Sequence, residues 1–308
     1  MSNVVLVVPD DGEKTWRDFR EIAAAAGKQG VKVRLVSPRK KDQLGLLPLW
    51  LRPTVSMALA GRTDRKLLPG RFLSGRRIGK IEEYRLLDAA KAPVPKWTEL
   101  KPDTRLDPAE WGPYVIEKPA VGWYGAHVKA RRTSRVKYAD PSSYPSGHLG
   151  SKGPMIVQEF VYTGEWPVSY RVVSVFGDTV LSFRLTTRRG TPLRSRWGFD
   201  RGGVAIVSNT KEMEVVLDAD PEITAVAEQS HRAAFPDIPM LNFDLARDAE
   251  TGRIVIFECH PFMPRWPFSS DRAMGVQAAN GVDFDSQFGA MGRIGQAVAR
   301  KAAEIVRS

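Results

Sequence analysis

The chain has 308 residues, enough for two domains or for one domain with a large insertion. A hydrophobic content of 43% and a charged content of 26% are those of a soluble globular protein, and no run approaches the roughly 18 apolar residues of a membrane span. The formal charge of +11 points to anionic ligands, but no zinc-finger, RNP or helix-turn-helix signature accompanies it, so no specific nucleic-acid binding is expected. The nearest approach to a membrane segment, residues 44–51, is short and contains Pro48. The lone cysteine, Cys259, rules out an intramolecular disulfide and the usual zinc spacings, and fits a reducing cytoplasm.

Residues 4–8 form a continuous apolar run without a basic leader, which predicts a first strand buried on both faces and not a signal peptide. Helical spacing over 16–26, stopped by Gly27 and Gly30, and alternation over 31–36 complete a parallel βαβ unit. The unit lacks a G-x-G-x-x-G loop and is not read as a dinucleotide site. Residues 38–77 are rich in Arg, Pro and Gly and predict loops with short elements, with a domain boundary near Gly75. A helix is expected over 78–91, ended by Pro93 and Pro95. Strands are expected at 114–118, 155–160, 170–176 and 179–185, the last two joined by a hairpin at 176–179. A helix over 221–235, strands at 241–246 and 254–258, and a final helix over 284–306 complete the chain.

Three patterns carry chemistry. Period-two alternation puts Asn242 and Asp244 on one strand face, and Glu258 and His260 on one face of the next. Pairing of those strands would gather hard ligands of the kind magnesium takes, although two salt-bridged carboxylates at strand ends would look the same in sequence. Lys118 leaves a strand just before a loop holding Gly122 and Gly125, where backbone N–H groups can approach phosphate. The spacing is wrong for a Walker A loop. Gln158-Glu159-Phe160-Val161, followed by Gly164-Glu165, is a strand end whose backbone can receive an adenine edge, or an ordinary strand and turn.

Their order along the chain resembles the ATP-grasp superfamily, and within it the ribosomal-protein glutamate ligase branch. The resemblance runs from Gly79 to about Pro267: Lys80 on a helix, Pro93-Val-Pro95, Lys118 with its glycines, the Gln158–Val161 segment, Tyr170-Arg171-Val172, the Gly177-Asp178 hairpin, then Asp244 and Glu258-Cys-His260. It implies an α/β fold with a Rossmann-like N-terminal domain (1–77), a small ATP-grasp lobe (78–157) and a large lobe with the metal site (158–308). It also implies that Lys80 and Lys118 contact the α- and β-phosphates of ATP, that the backbone of Phe160 and Val161 holds adenine with Glu159 near its amino group, and that Glu165 holds the ribose. By the same resemblance, Asp244, Glu258 and His260 hold one or two Mg2+ ions, and Arg171 and Arg184 neutralise the transferred phosphoryl group.

This sequence departs from the family at two positions. His260 stands where Asn is usual, which moves metal preference toward Mn2+, and Ser169 stands where the nearest branch has an acid. The expected reaction is ATP-dependent activation of a carboxylate as an acyl phosphate for attack by an amine, under a lid formed by about 119–153. A kinase of the same fold and a nucleotide-responsive binding protein without turnover are the alternatives. The substrates expected are small-molecule or peptide carboxylates and amines. Arg188, Arg189, Arg194, Arg196 and Arg201 suit an anionic acceptor, or form a solvated basic loop. Similar ligases are commonly homodimers, and the oligomeric state is left open.

Overall fold

The computed structural model describes residues 2–9, 12–37, 53–63, 70–122, 125–188, 190–199, 206 and 213–307. The chain begins with β1 (Asn3–Val7), α1 (Glu13–Gly27), β2 (Lys32–Val36), β3 (Val55–Ala58) and β4 (Arg71–Ser74), which build a parallel sheet in the order β2-β1-β3-β4. The apolar run of β1 is explained by its central place: Val4 and Leu6 enter the main core, while Val5 and Val7 join Val36 and Ala58 on the other face. Residues 38–77, expected to be mostly loop, thus contribute two strands to this sheet, β3 and β4. The apolar stretch at 44–51 lies outside the described residues.

The middle of the chain supplies α2 (Lys80–Ala89), β5 (Trp97–Glu99), α3 (Pro108–Trp111), β6 (Tyr114–Pro119), β7 (Lys129–Arg132) and β8 (Met155–Glu159). Its four strands pair antiparallel in the order β5-β8-β6-β7. The third sheet contains β9 (Val168–Val175), β10 (Asp178–Thr186), β11 (Glu214–Leu217), β12 (Met240–Arg247) and β13 (Ile254–His260), antiparallel in the order β11-β10-β9-β12-β13. The hairpin between β9 and β10 turns on Phe176 (φ 47°) and Gly177 (φ 85°), two positive-φ residues as a type I′ turn requires.

The five-stranded sheet is covered on both faces. Val172, Phe243 and Ile256 pack with Leu87 of α2 and with Ile223 and Ala227 of α4 (Pro221–Ala234). Val173, Leu181 and Phe183 face the main core, which includes α6 (Ala290–Arg307). The final helix was expected from 284 but begins at 290, because Gly289 sits at φ 59° and Asp285 accepts the Met291 N–H through its side chain. Before it lies α5 (Asp271–Asn280), which the periodicity did not announce. Helix α6 lies against α1 so closely that a Cβ at Gly295 would come within 2.6 Å of the Ile22 carbonyl oxygen. This contact joins the N-terminal sheet to the C-terminal end of the chain. No helix among the described residues is long and apolar enough to cross a membrane.

One buried polar knot makes the fold sensitive to acid. His231 of α4 is fully buried; its Nδ1 accepts from Ser174 Oγ (2.6 Å) and Gly177 N (3.2 Å), while Nε2 donates to the Ile238 carbonyl (2.8 Å). Burial draws its pKa from 6.5 down to about 4. Between those values the unfolded chain binds more protons, so stability is full above about pH 6.5 and is lost as pH falls toward 4, by on the order of 3 kcal/mol. Urea midpoints measured at about pH 7 and about pH 5 should show this loss, and His231→Gln should shrink the difference.

Candidate active site

A cavity of about 840 Å³ opens between the second and third sheets, with residues 76–80 at its edge. Its floor is the end of the β12–β13 pair. Asp244 stands opposite Glu258 and Asn242 opposite His260 in the register, so alternation brings all four side chains to the cavity face. One ligand atom from each of Asp244, Glu258 and His260 lies within 4.8 Å of the others. Asn242 Oδ1 is buried and has no hydrogen-bond partner.

Basic groups from other elements converge on these carboxylates. Arg171 of β9 grips Asp244 with both arms of its guanidinium, Nε to Oδ1 at 2.8 Å and Nη2 to Oδ2 at 3.0 Å. Lys80, at the start of α2, pairs with Glu258, and its Nζ lies 3.5 Å from the Gly122 carbonyl. His260 Nε2 is 3.6 Å from Asp244 Oδ2. Burial resists ionisation of Asp244, yet Arg171 and His260 outweigh it and hold the carboxyl well below its ordinary range. Burial likewise opposes charge on His260, and Asp244 and Glu258 overcome it, raising the imidazole pKa. For Glu258, burial is again outweighed, by His260, Lys80 and Lys118.

Lys118 sits deeper, 7% exposed, with its ammonium donating to Gln158 Oε1 (2.6 Å), Tyr84 OH (2.9 Å) and the Phe257 carbonyl (3.4 Å). Burial lowers its pKa to about 8. Gln158 therefore orients Lys118 from the cavity wall. Gly122 (φ 131°) passes under Leu149, whose Cδ1 would be 2.5 Å from an added Cβ. Leu149 is tied back through its N–H to His127 Nδ1 (3.1 Å), and the His127 ring stacks on His148 at 4.0 Å. Gly125 also lines the cavity, as do Phe160, Val161 and Gly164.

Three expected residues are placed elsewhere. Glu159 points away from the cavity, since its strand neighbour Gln158 takes the inward position; its carboxylate pairs with Arg253 (2.5 Å) and accepts from Lys96 N (3.1 Å). Arg184 is in register with Tyr170, and Arg171 with Phe183, so Arg184 lies on the opposite face of the sheet, 3.9 Å from Asp218. It does not reach the cavity. The Glu165 side chain is exposed, outside the cavity lining, on a turn whose Gly164 and Pro167 do line it. Two arginines of the basic loop have acidic partners: Arg196 binds Asp248 (3.0 Å) and Glu250 (2.5 Å), and Arg188 lies 3.7 Å from Glu214. Arg189 and Arg201 lie outside the described residues.

Two site residues escaped sequence reasoning. Glu83 and Tyr84 follow Lys80 by three and four positions, the same helix face, and that spacing was the available signal. Glu83 is 3% exposed and accepts the Cys259 N–H, which steadies the strand between Glu258 and His260. Burial, then the charge of Glu258, raises its pKa to about 8. Tyr84 OH lies 2.8 Å from Gln158 Oε1 and 2.7 Å from the Phe257 carbonyl, closing the back of the Lys118 pocket.

No protein-family model and no curated protein sequence matches the chain. Solved structures do. D-cycloserine synthetase DcsG is similar over 98% of this chain and 100% of its own, with a TM-score of 0.52 at 15% identity. A RiPP-associated ATP-grasp ligase from Chryseobacterium gregarium, solved with ADP and a leader and core peptide, is similar over 99% of this chain and 97% of its own, at TM-score 0.48 and 11% identity. A RimK domain ATP-grasp protein from Sphaerobacter thermophilus is similar over 96% and 99%, at TM-score 0.45 and 15% identity. At these identities the likeness speaks to fold alone, and the first of the three carries it: the chain shares the fold of D-cycloserine synthetase DcsG.

Proposed function

We propose that the chain is an ATP-dependent ligase that activates a carboxylate as an acyl phosphate and joins it to an amine. The observation that carries this reading is the set of charges in one cavity: the Asp244–Glu258 pair from adjacent strands, with Lys80 and Lys118 brought to it from a helix and from a second sheet. In this reading the N-terminal parallel sheet is the Rossmann-like domain that precedes the two ATP-grasp lobes.

The donor set fits a divalent cation. Asp244 and Glu258 already hold cationic partners in Arg171 and Lys80, and Asn242 Oδ1 is a buried acceptor without a donor. Asp244, Glu258 and His260 would hold Mg2+ or Mn2+, which would offset negative charge on the phosphates. Lys118 and Lys80 bind phosphate oxygens, and the backbone at Phe160 and Val161 receives the adenine edge. Arg171 neutralises the phosphoryl group as it passes to a carboxylate oxygen and ADP leaves. The segment carrying Gly122 and Leu149 shields the acyl phosphate from water. The amine nitrogen then bonds to the acyl carbon, the C–O bond to phosphate breaks, and an amide and inorganic phosphate are released.

The test is ADP release from a panel of carboxylates with ATP and magnesium, with and without hydroxylamine as a small amine. Sustained release that requires the amine, with hydroxamate formed in equal amount, supports a ligase. Sustained release indifferent to the amine and without hydroxamate would instead identify a kinase.

A further inference from the structure

The cavity carries more positive charge than a nucleotide and its metal site account for. Eight basic side chains line it against three carboxylates, Glu83, Asp244 and Glu258. Lys80, Lys118 and Arg171 belong with the phosphates and the metal ligands. Four of the others, Arg76, Arg77, Arg265 and Arg272, stand on segments that frame a separate wall. Among the described residues no carboxylate pairs with Arg77 or Arg265; the Arg77 guanidinium lies over the Phe262 ring at 4.8 Å, and Arg76 pairs with Glu82 at 3.6 Å.

This wall is built in place by the backbone. Arg76 N donates to the Pro261 carbonyl at 2.9 Å, and Gly75 lies so close that an added Cβ would be 2.6 Å from the same oxygen. The Met263 carbonyl accepts from Gly61 N at 2.8 Å. Next to Arg265, Trp266 is wholly buried, with its indole N–H on Asp18 at 2.8 Å. The segment bearing Arg265 is thus tied to Asp18 of α1 and to Gly61 on one side and to residues 75–77 on the other. The same wall receives the first turn of α5: Ser270, Arg272 and Ala273 line the cavity, and the N-cap Ser270 makes no side-chain cap hydrogen bond. Unsatisfied N–H groups at a helix start attract an anion, and forked guanidiniums beside them are suited to carboxylate or phosphate oxygens.

We infer that Arg76, Arg77, Arg265 and the start of α5 form a subsite for a second anionic group, carboxylate or phosphate, on the substrate whose carboxylate is activated. The inference rests on the ligase reading above and narrows the substrate to an acid carrying at least two negative groups. It also moves anion recognition away from the 188–201 loop, where Arg196 is held by Asp248 and Glu250.

The test is calorimetric titration of the full chain, loaded with saturating ADP and magnesium so that the nucleotide's own phosphates are in place. Tricarballylate serves as the polycarboxylate probe and inorganic phosphate as the phosphate probe. One-to-one binding of either probe is expected, weakened at least tenfold in Arg77→Gln/Arg265→Gln, unchanged in Arg188→Gln, with ADP affinity the same in all three proteins. The probe that binds more tightly identifies the anion. Absence of binding by both probes overturns the inference, as does equal weakening in Arg188→Gln. A parallel loss of ADP affinity would assign the arginines to the nucleotide and overturn it too. If the wild type does not bind ADP, the ligase reading fails by itself, and the probes are titrated into the free chain under the same criteria.

Discussion

Lys118→Met is expected to weaken nucleotide binding by about tenfold to a hundredfold, the worth of a charge-assisted hydrogen bond lost from a buried site. Methionine is close to lysine in length and carries no charge into a pocket that leaves its occupant 7% exposed. Tyr84 keeps Gln158 Oε1 and the Phe257 carbonyl as acceptors, so the pocket does not gain an orphaned donor. The variant should therefore fold, with its deficit confined to phosphate recognition. A pH signature accompanies the effect. Burial brings the Lys118 pKa down to about 8, so the free protein loses this charge as pH rises through that value. ADP affinity of the wild type should decline above about pH 8, and the Lys118→Met profile should be flat there. Calorimetry at several pH values measures both. Equal affinity of the two proteins at neutral pH would remove Lys118 from the nucleotide site.

The largest effect on stability is expected from Trp266→Ala, at about 3–5 kcal/mol. The indole is fully buried, 4.8 Å from the Phe19 ring centre and 5.3 Å from that of Phe268. Its removal leaves a void and strips Asp18, itself 5% exposed, of the indole donor. Trp266→Phe separates the two contributions. It restores most of the volume but not the hydrogen bond, so it should retain a smaller loss of about 1–3 kcal/mol. Urea unfolding reads both variants, with an unchanged m value as the sign that only stability has moved. Unfolding midpoints equal to the wild type would contradict the role given to Trp266 as the anchor of the 261–268 segment.

Much of the fold was legible because its signals are local. The run at β1, the alternation of β12 and β13, and the turn at Phe176-Gly177 each follow from residues within reach of one another. The same holds for the site floor: Asp244 and Glu258 reveal themselves by period-two spacing on two strands joined by a short turn. Arg184 was misplaced for a different reason. Alternation says that Arg184 and Phe183 face opposite ways, but only the pairing of β10 with β9 decides which of them shares a face with Arg171. For Glu159 the pairing of β8 with β6 decides the side chain's direction, since the inward position in β8 belongs to Gln158. Helix α5 lacked an amphipathic stripe, with only Ala273 fully buried, so periodicity had nothing to report. The arginine wall was hidden most deeply. Arg76 and Arg265 are far apart in sequence and line one cavity because the 75–77 backbone packs on Pro261.

In the proposed function, Asp244, Glu258 and His260 form a metal-dependent nucleotide site. Calorimetric titration of ATP into the wild type and Glu258→Gln, each with and without magnesium, tests it most directly. Binding near the micromolar range is expected for the wild type, or roughly −8 kcal/mol, requiring the metal and weakening at least tenfold in Glu258→Gln. Binding that ignores magnesium, or that survives unchanged in Glu258→Gln, would contradict it.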